Sequence, residues 1–153
     1  MTLQDLGSIG EFIAAFATVV TLVYLAVQIR QNTQTVRANT QQAGSTAWSE
    51  LVLKMASDPA MSEIYHQGRV SPESLSKEDA RRFALTLDAM FSQIENFYIQ
   101  YAYGHLPQSN QDRFALILRL QFETRGVNLY WARHRSEFTA EFIHYVEDEL
   151  GLA

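Results

Sequence analysis

The longest apolar stretch of the chain lies near its N-terminus and contains no charged residue. It comprises the 18 residues between Glu11 and Arg30. As an α-helix this run would be about 27 Å long, close to the ~30 Å hydrocarbon core of a bilayer. It has no continuous polar stripe of the kind that a soluble helix turns towards water. The pattern predicts a transmembrane anchor over residues 1–30; a buried helix of a soluble protein is the alternative.

The charges around this apolar run predict its orientation. Arg30 and Arg37 follow it, whereas no lysine or arginine precedes it. Basic residues that flank membrane helices stay in the cytoplasm, so we expect the N-terminus outside and the C-terminal domain inside. Tyr24 suits the far interface, where an amphipathic ring is stable beside a snorkelling arginine. A secretory signal peptide would need a basic N-terminal region, and here Asp5 and Glu11 stand instead.

Small residues recur along the predicted membrane helix. Gly10, Ala14 and Thr18 follow each other at four-residue spacing, and Ala17 and Thr21 form an offset pair. Small side chains let two membrane helices approach closely, which would allow self-association or contact with another membrane protein. Small residues also occur in membrane helices that do not associate, and this alternative stays open.

Residues 31–43 form a polar connector rich in glutamine, asparagine and threonine. Nothing in it breaks a helix before Gly44, so we expect the membrane helix to continue into water. A near-heptad series runs through Ile29, Thr33, Val36, Thr40, Ala43 and Ala47. The series is compatible with a weak coiled coil in which some contact positions are polar, or with a stalk surrounded by water.

Residues 44–153 show the 3.6-residue hydrophobic period throughout and no alternating strand pattern, which predicts an all-α cytoplasmic bundle of about five helices. The predicted helices cover residues 45–57, 60–67, 77–103, 110–125 and 129–150. Asp58-Pro59 ends the first helix, and glycines 68, 104 and 126 end the next three. Ser76 caps the third with the acidic Asp79 three residues on, and Ser136 or Thr139 marks a break in the last.

Composition narrows the possible functions. The chain has 153 residues, of which 47% are hydrophobic, as expected of a folded protein. Its 12 basic and 17 acidic residues argue against a nucleic-acid-binding protein. Residues 1–43 contain two of each sign, so the net charge of −5 belongs to residues 44–153. The lack of cysteine excludes disulfides, thiol catalysis and cysteine-ligated metal sites.

Two Glu-x-x-His units are the strongest candidates for metal chemistry. They pair Glu63 with His66 and Glu141 with His144. Di-metal carboxylate bundles combine two such units with single glutamates on other helices, here Glu50, Glu95 and Glu123. Helical phase, however, places Glu141 and His144 opposite the apolar face of their helix. We therefore predict surface pairs, no catalytic residue and no cofactor, and retain the metal site as a weaker alternative.

Three further groups of residues have a functional and a structural interpretation. Arg133 and Arg135, with Arg125 nearby in sequence, either bind an anionic ligand or pair with local carboxylates such as Glu137. Asp88 and Glu95 are interpreted as residues on the solvent-exposed side of the third helix. The aromatic residues are predicted to pack in the core and at helix ends, in preference to forming a cage; they are Tyr98, Tyr101, Tyr103, Tyr130 and Trp131.

The order of these features resembles a family of small bacterial proteins of unassigned function, each with one N-terminal membrane helix. The resemblance is carried by residues 6–11 (LGSIGE), by residues 24–33 (YLAVQIRQNT), by Asp58-Pro59 and by the ending Gly126…Tyr130-Trp131…Arg135…Phe138…Phe142. It implies an all-helical protein anchored in the bacterial inner membrane. It supplies no catalytic residues.

The sequence therefore favours a non-enzymatic, membrane-anchored helical interaction protein. It would be a homo-oligomeric scaffold or an accessory subunit of a membrane assembly, with the lipid bilayer and a second copy or another membrane protein as partners. The alternative is a membrane-bound enzyme or small-ligand sensor with a pocket in the bundle.

Overall fold

A computed structural model describes residues 3–152, with side chains described from Gly7 onward except for residues 8 and 9. Within this range the chain is all-helical and contains no strand, as predicted. Its six α-helices are α1 (Leu3–Ser57), α2 (Pro59–Val70), α3 (Lys77–Ala102), α4 (Gln108–Phe122), α5 (Arg125–His134) and α6 (Ala140–His144). Short 3₁₀ turns cover Pro72–Ser74 and Arg135–Glu137, and a π-helical turn covers Tyr145–Glu149.

The chain divides into two compact units, Met1–Asn39 and Thr40–Ala153. The described part of the first unit consists of α1 alone. The second unit contains the last turns of α1 and all the other helices. We call this second unit, residues 40–153, the helical domain.

Local signals fix several helix ends where the sequence predicts them. α1 ends at Ser57, and the Asp58 carboxylate caps α2 by accepting the backbone N–H groups of Ala60 and Met61 at 2.9 and 3.2 Å. Ser76 caps α3 by accepting the Asp79 N–H at 3.1 Å. Gly104 follows α3 with a φ of 71°, a left-handed conformation that only glycine adopts without strain.

Two glycines predicted to end helices lie inside helices instead. Gly68 is buried in α2 and Gly126 is buried in the first turn of α5. A Cβ atom on Gly126 would lie 1.8 Å from the carbonyl oxygen of Gly68, and one on Gly68 would lie 2.5 Å from the Phe83 ring. The prediction was wrong because these glycines serve the close crossing of α2 and α5, which is a long-range contact.

The last two predicted helices, residues 110–125 and 129–150, are also divided differently. The Asn128 side chain donates to the carbonyl groups of Phe122 and Thr124 at 2.7 and 2.8 Å, which ends α4 early and starts α5 directly. A break around Thr139 is present as predicted, but Ser136 lies within the 3₁₀ turn. After α6 the chain widens into the π-helical turn, which the hydrophobic period did not indicate.

An aromatic cluster forms the core of the helical domain. Phe91 on α3 is fully buried and contacts the rings of Phe122, Tyr130, Trp131 and Phe138 at centroid distances of 5.3 to 5.9 Å. The apolar residues that recur at three- and four-residue spacing along α3 form its buried side, since Phe83, Leu87, Met90, Ile94 and Phe97 are all buried.

The last turns of α1 belong to the helical domain and pack on it. Trp48 meets Phe114 edge to face, and Phe114 stacks on Phe97 with their centroids 3.9 Å apart. Gly44 lets α1 approach this stack, because a Cβ there would lie 2.5 Å from the Phe97 ring. Thr40, Ala43 and Ala47 line a cavity of about 290 Å³ beside the same ring.

We expect Gly126→Ala to destabilise the helical domain by about 1–3 kcal/mol, because the new methyl group collides with backbone that cannot rotate away. Urea unfolding of the full chain in detergent, followed by the fluorescence of Trp48 and Trp131, measures the change. Gly7→Ala is the matched control, since a Cβ at that helical glycine meets no atom within 4 Å. Equal stability of the two variants would contradict the close crossing.

Candidate functional site

The apolar run of α1 is exposed on all sides. Residues 12–29 are helical, and none of them is buried against the rest of the chain. Phe12 is 74% exposed and Val20, in the middle of the run, is 51% exposed. By its length and composition, the run is long and apolar enough to span a membrane.

Polar groups within the run are satisfied by the helix itself. The hydroxyl groups of Thr18 and Thr21 each donate to a carbonyl group four residues earlier, of Ala14 and Ala17, at 2.8 Å. The Gln28 amide donates to the Tyr24 hydroxyl at 2.6 Å. The two threonine hydroxyl groups are therefore paired within the helix itself, as the hydroxyl groups of membrane helices commonly are.

The residues predicted to pack membrane helices, Gly10, Ala14, Ala17, Thr18 and Thr21, all lie on exposed turns of α1. A Cβ on Gly10 meets no atom within 4 Å. This face is therefore open to a partner, and its use remains a prediction.

Arg30 and Arg37, on which the predicted topology rests, are exposed in the next turns of α1. Neither makes an ion pair within the described part of the chain. The connector, residues 31–43, contains Arg37 and is helical, and Val36 on it is 49% exposed.

The four candidate metal ligands do not come together. Glu63 and His66 are exposed on α2, and Glu63 accepts a hydrogen bond from Gln67 at 2.7 Å. Glu141 and His144 are exposed on α6, where His144 pairs with Asp148 at 2.6 Å. Among residues 3–152, no three histidine, aspartate or glutamate side chains are grouped so that they could hold a metal ion.

The three candidate arginines are divided between two places. Arg135 binds both carboxylate oxygens of Glu147 at 2.8 and 3.0 Å. Arg125 and Arg133 instead line one cavity of about 440 Å³, together with apolar residues of α3. Closeness in sequence therefore does not bring Arg133 and Arg135 to one site, because their side chains lie on different faces of the chain.

Asp88 and Glu95 bind different elements and do not form an acidic pair. The sequence had indicated only that they lie on the solvent-exposed side of α3. Glu95 accepts the backbone N–H and the hydroxyl group of Thr139 at 2.7 and 2.8 Å, which caps α6 from another helix. Asp88 accepts from the Tyr130 hydroxyl at 3.3 Å. Burial and the neighbouring Asp88 carboxylate raise the pKa of Tyr130 above its ordinary value, so the phenol stays protonated.

The predicted aromatic residues are mainly structural. Tyr130 and Trp131 are buried in the core, and Tyr98 stacks on Tyr145 at 4.6 Å between centroids. Tyr103 is the exception, since it is 75% exposed just after α3.

Glu147 joins α5 to the C-terminal π-helical turn, and no sequence pattern predicts this role. Its Oε1 accepts from the Trp131 indole N–H at 3.0 Å and from Arg135 at 2.8 Å. The hydrogen bond from Arg135 is the main reason why the pKa of Glu147 lies below its ordinary value. No local signal marks this residue, because its partners lie 12 and 16 positions away.

Comparisons with models of protein families, with curated proteins and with solved structures find no match to this chain.

We expect Glu147→Gln to lower the free energy of unfolding at pH 7 by about 1 kcal/mol through loss of the charged hydrogen bond. A lowered carboxyl pKa stabilises the folded state above the unfolded value, near 4.5, and this stabilisation is lost as the pH falls through the folded value. Urea unfolding at pH 7, 5 and 3.5 should thus show the two proteins converging on acidification. Glu123→Gln, at an exposed carboxylate, is the control; a difference that persists at low pH would refute this role of Glu147.

Proposed function

We propose that this protein is a membrane-anchored helical interaction protein that acts by binding, without catalysis. The observation that carries the proposal is the apolar run 12–29, which is helical and in which no residue is buried. Exposed apolar surface of this extent is unfavourable in water and is stabilised when lipid surrounds it. The run fits the thickness of a bilayer in length.

Within this proposal the protein crosses the bacterial inner membrane once, with residues 44–153 in the cytoplasm. Arg30 and Arg37 support that orientation, since they follow the run and are exposed. The acidic helical domain gains nothing from anionic lipid, so it would present its surface to other proteins and solutes.

Self-association through α1 is the form of binding that we favour. Residues 31–39 are helical and exposed, although they include poor helix formers such as Asn32, Thr33, Thr35 and Asn39. Thr33 and Thr35 even return their hydroxyl groups to backbone carbonyls at 2.9 and 3.0 Å. A polar helix of this composition is marginal by itself, and a parallel second copy would stabilise it.

The face of α1 that a second copy could contact beyond the apolar run is short. Ile29, Thr33 and Val36 are exposed at alternating four- and three-residue spacing. The rest of the near-heptad series, from Thr40 onward, lines the cavity beside Phe97 within the helical domain. A dimer would therefore combine this short seam with the small-residue face of the membrane span. An accessory subunit that docks on another membrane protein through the same face is the second form of the proposal.

Membrane insertion is tested by substitution with arginine. We expect the wild-type chain to remain in membranes after alkaline carbonate extraction. Val20→Arg/Val23→Arg should release it, because each arginine costs roughly 2.5–3.5 kcal/mol at the centre of a span. Val36→Arg is the matched control, an equally exposed valine outside the run, and should remain membrane-bound.

A wild-type chain recovered in the soluble fraction would refute the anchor. Topology is read from a reporter fused after Ala153, which should behave as cytoplasmic; a periplasmic result would reverse the assignment made from Arg30 and Arg37.

Self-association is tested by disulfide trapping, for which the chain is suited because it contains no cysteine. We expect Val36→Cys to form a disulfide-linked dimer in oxidised membranes, since parallel seam positions bring Cα atoms within the roughly 4–7 Å that a disulfide needs. Ala38→Cys, on the other side of the same turn, should cross-link far less. Equal cross-linking at both positions, or none at either, would exclude the dimer and favour the accessory-subunit form.

A further inference from the structure

A cavity of about 440 Å³ lies between the 3₁₀ turn Pro72–Ser74, α3 and α5. Its apolar wall includes Phe83, Ala84 and Leu129. Its charged groups are Arg125, Arg133 and Glu73. Its volume lies within the range of small-molecule sites, and its wall combines apolar side chains with charged groups.

Helix α5 directs the two arginines to this cavity. Arg125, Leu129 and Arg133 follow each other at four-residue spacing, so they share one face of the helix. The chain has a net charge of −5, yet two guanidinium groups and a single carboxylate meet at this cavity. The local excess of positive charge favours an anionic ligand.

The two arginines differ in whether a carboxylate of the described chain pairs with them. Arg133 makes no hydrogen bond or ion pair with any residue in the described range 3–152. Arg125 donates to Glu73 at 2.8 Å, and both of these side chains are well exposed to water. An ion pair so exposed contributes little stability and opens readily. Glu73 therefore supplies one carboxylate to the cavity, and Arg133 remains free for another.

The geometry points to this cavity as a binding site for a small organic anion, with an apolar body against Phe83 and Leu129 and a carboxylate held by Arg133. Guanidinium groups bind carboxylates through paired, charge-assisted hydrogen bonds, which explains the preference for an oxyanion over a neutral group. When the ligand binds, Arg125 can leave Glu73 and act as the second donor. Glu73 thus competes with the ligand for the same cation.

The test uses the full chain in detergent micelles and 2-naphthoate as the probe, an aromatic carboxylate that fits the volume. Binding is measured by titration calorimetry, with a titration into micelles alone subtracted. We expect saturable binding of one 2-naphthoate per chain and about tenfold weaker binding of neutral 2-naphthamide. Circular dichroism verifies that each variant keeps its helical content.

Four variants test the residues. Arg133→Gln should weaken 2-naphthoate binding about tenfold or more, and Arg133→Lys should retain part of the affinity because the charge remains. Glu73→Gln should strengthen binding by up to about fivefold, because the competing carboxylate is gone. Arg135→Gln is the matched control, since Arg135 binds Glu147 away from the cavity, and should leave the affinity unchanged.

The proposal is overturned if 2-naphthoate shows no saturable binding, if the amide binds as tightly as the acid, or if Arg135→Gln weakens binding as much as Arg133→Gln. Because membrane attachment is measured separately by carbonate extraction, a negative result here leaves the anchor of α1 unaffected. A positive result likewise does not depend on the anchor.

Discussion

The crossing of α2 and α5 is the constraint on which the helical domain depends. At Gly126 the backbone of α5 lies so close to the carbonyl group of Gly68 that no side chain fits between them. This proximity places Tyr130 and Trp131, further along α5, against Phe91 in the core. It also leaves the outer face of α5, with Arg125 and Arg133, at the edge of the cavity. The same helix crossing therefore determines both the packing of the core and the position of the candidate ligand site.

Side chains from distant helices complete the ends of several helices in this domain. Glu95 on α3 caps the start of α6 through Thr139, and Arg69 on α2 donates to the carbonyl group of Leu120 near the end of α4 at 3.2 Å. Tyr65, one turn before Arg69, donates to Gln121 at 2.8 Å. Backbone groups at helix ends need partners, and in short helices such as α6 a local cap is not enough to provide them. The helices thus stabilise one another at their ends as well as through their apolar faces.

Many apolar residues of the helical domain are buried, whereas the described apolar residues of α1 between Phe12 and Ile29 are exposed. In the helical domain, aromatic rings pack on each other, and burying a ring such as Phe91 contributes about 3–5 kcal/mol relative to alanine. In α1 the side chains from Phe12 to Ile29 find no such partners within the chain, while the threonine hydroxyl groups bond back to the helix. A helix whose backbone and polar side chains satisfy each other can exchange water for lipid at little cost. This difference is the physical basis for proposing that lipid covers α1.

The sequence by itself determined the all-helical fold, the position of the long apolar run and those helix ends that depend on neighbouring residues. Asp58 before Pro59, Ser76 with Asp79, and Gly104 act within one turn of the chain, so their effect can be read locally. The tertiary structure decided the rest. It placed Gly68 and Gly126 inside helices, divided the last predicted helix, separated Arg133 from Arg135 and joined Arg133 with Arg125 at one cavity. These outcomes depend on contacts between residues far apart in sequence, whose energies no local pattern contains.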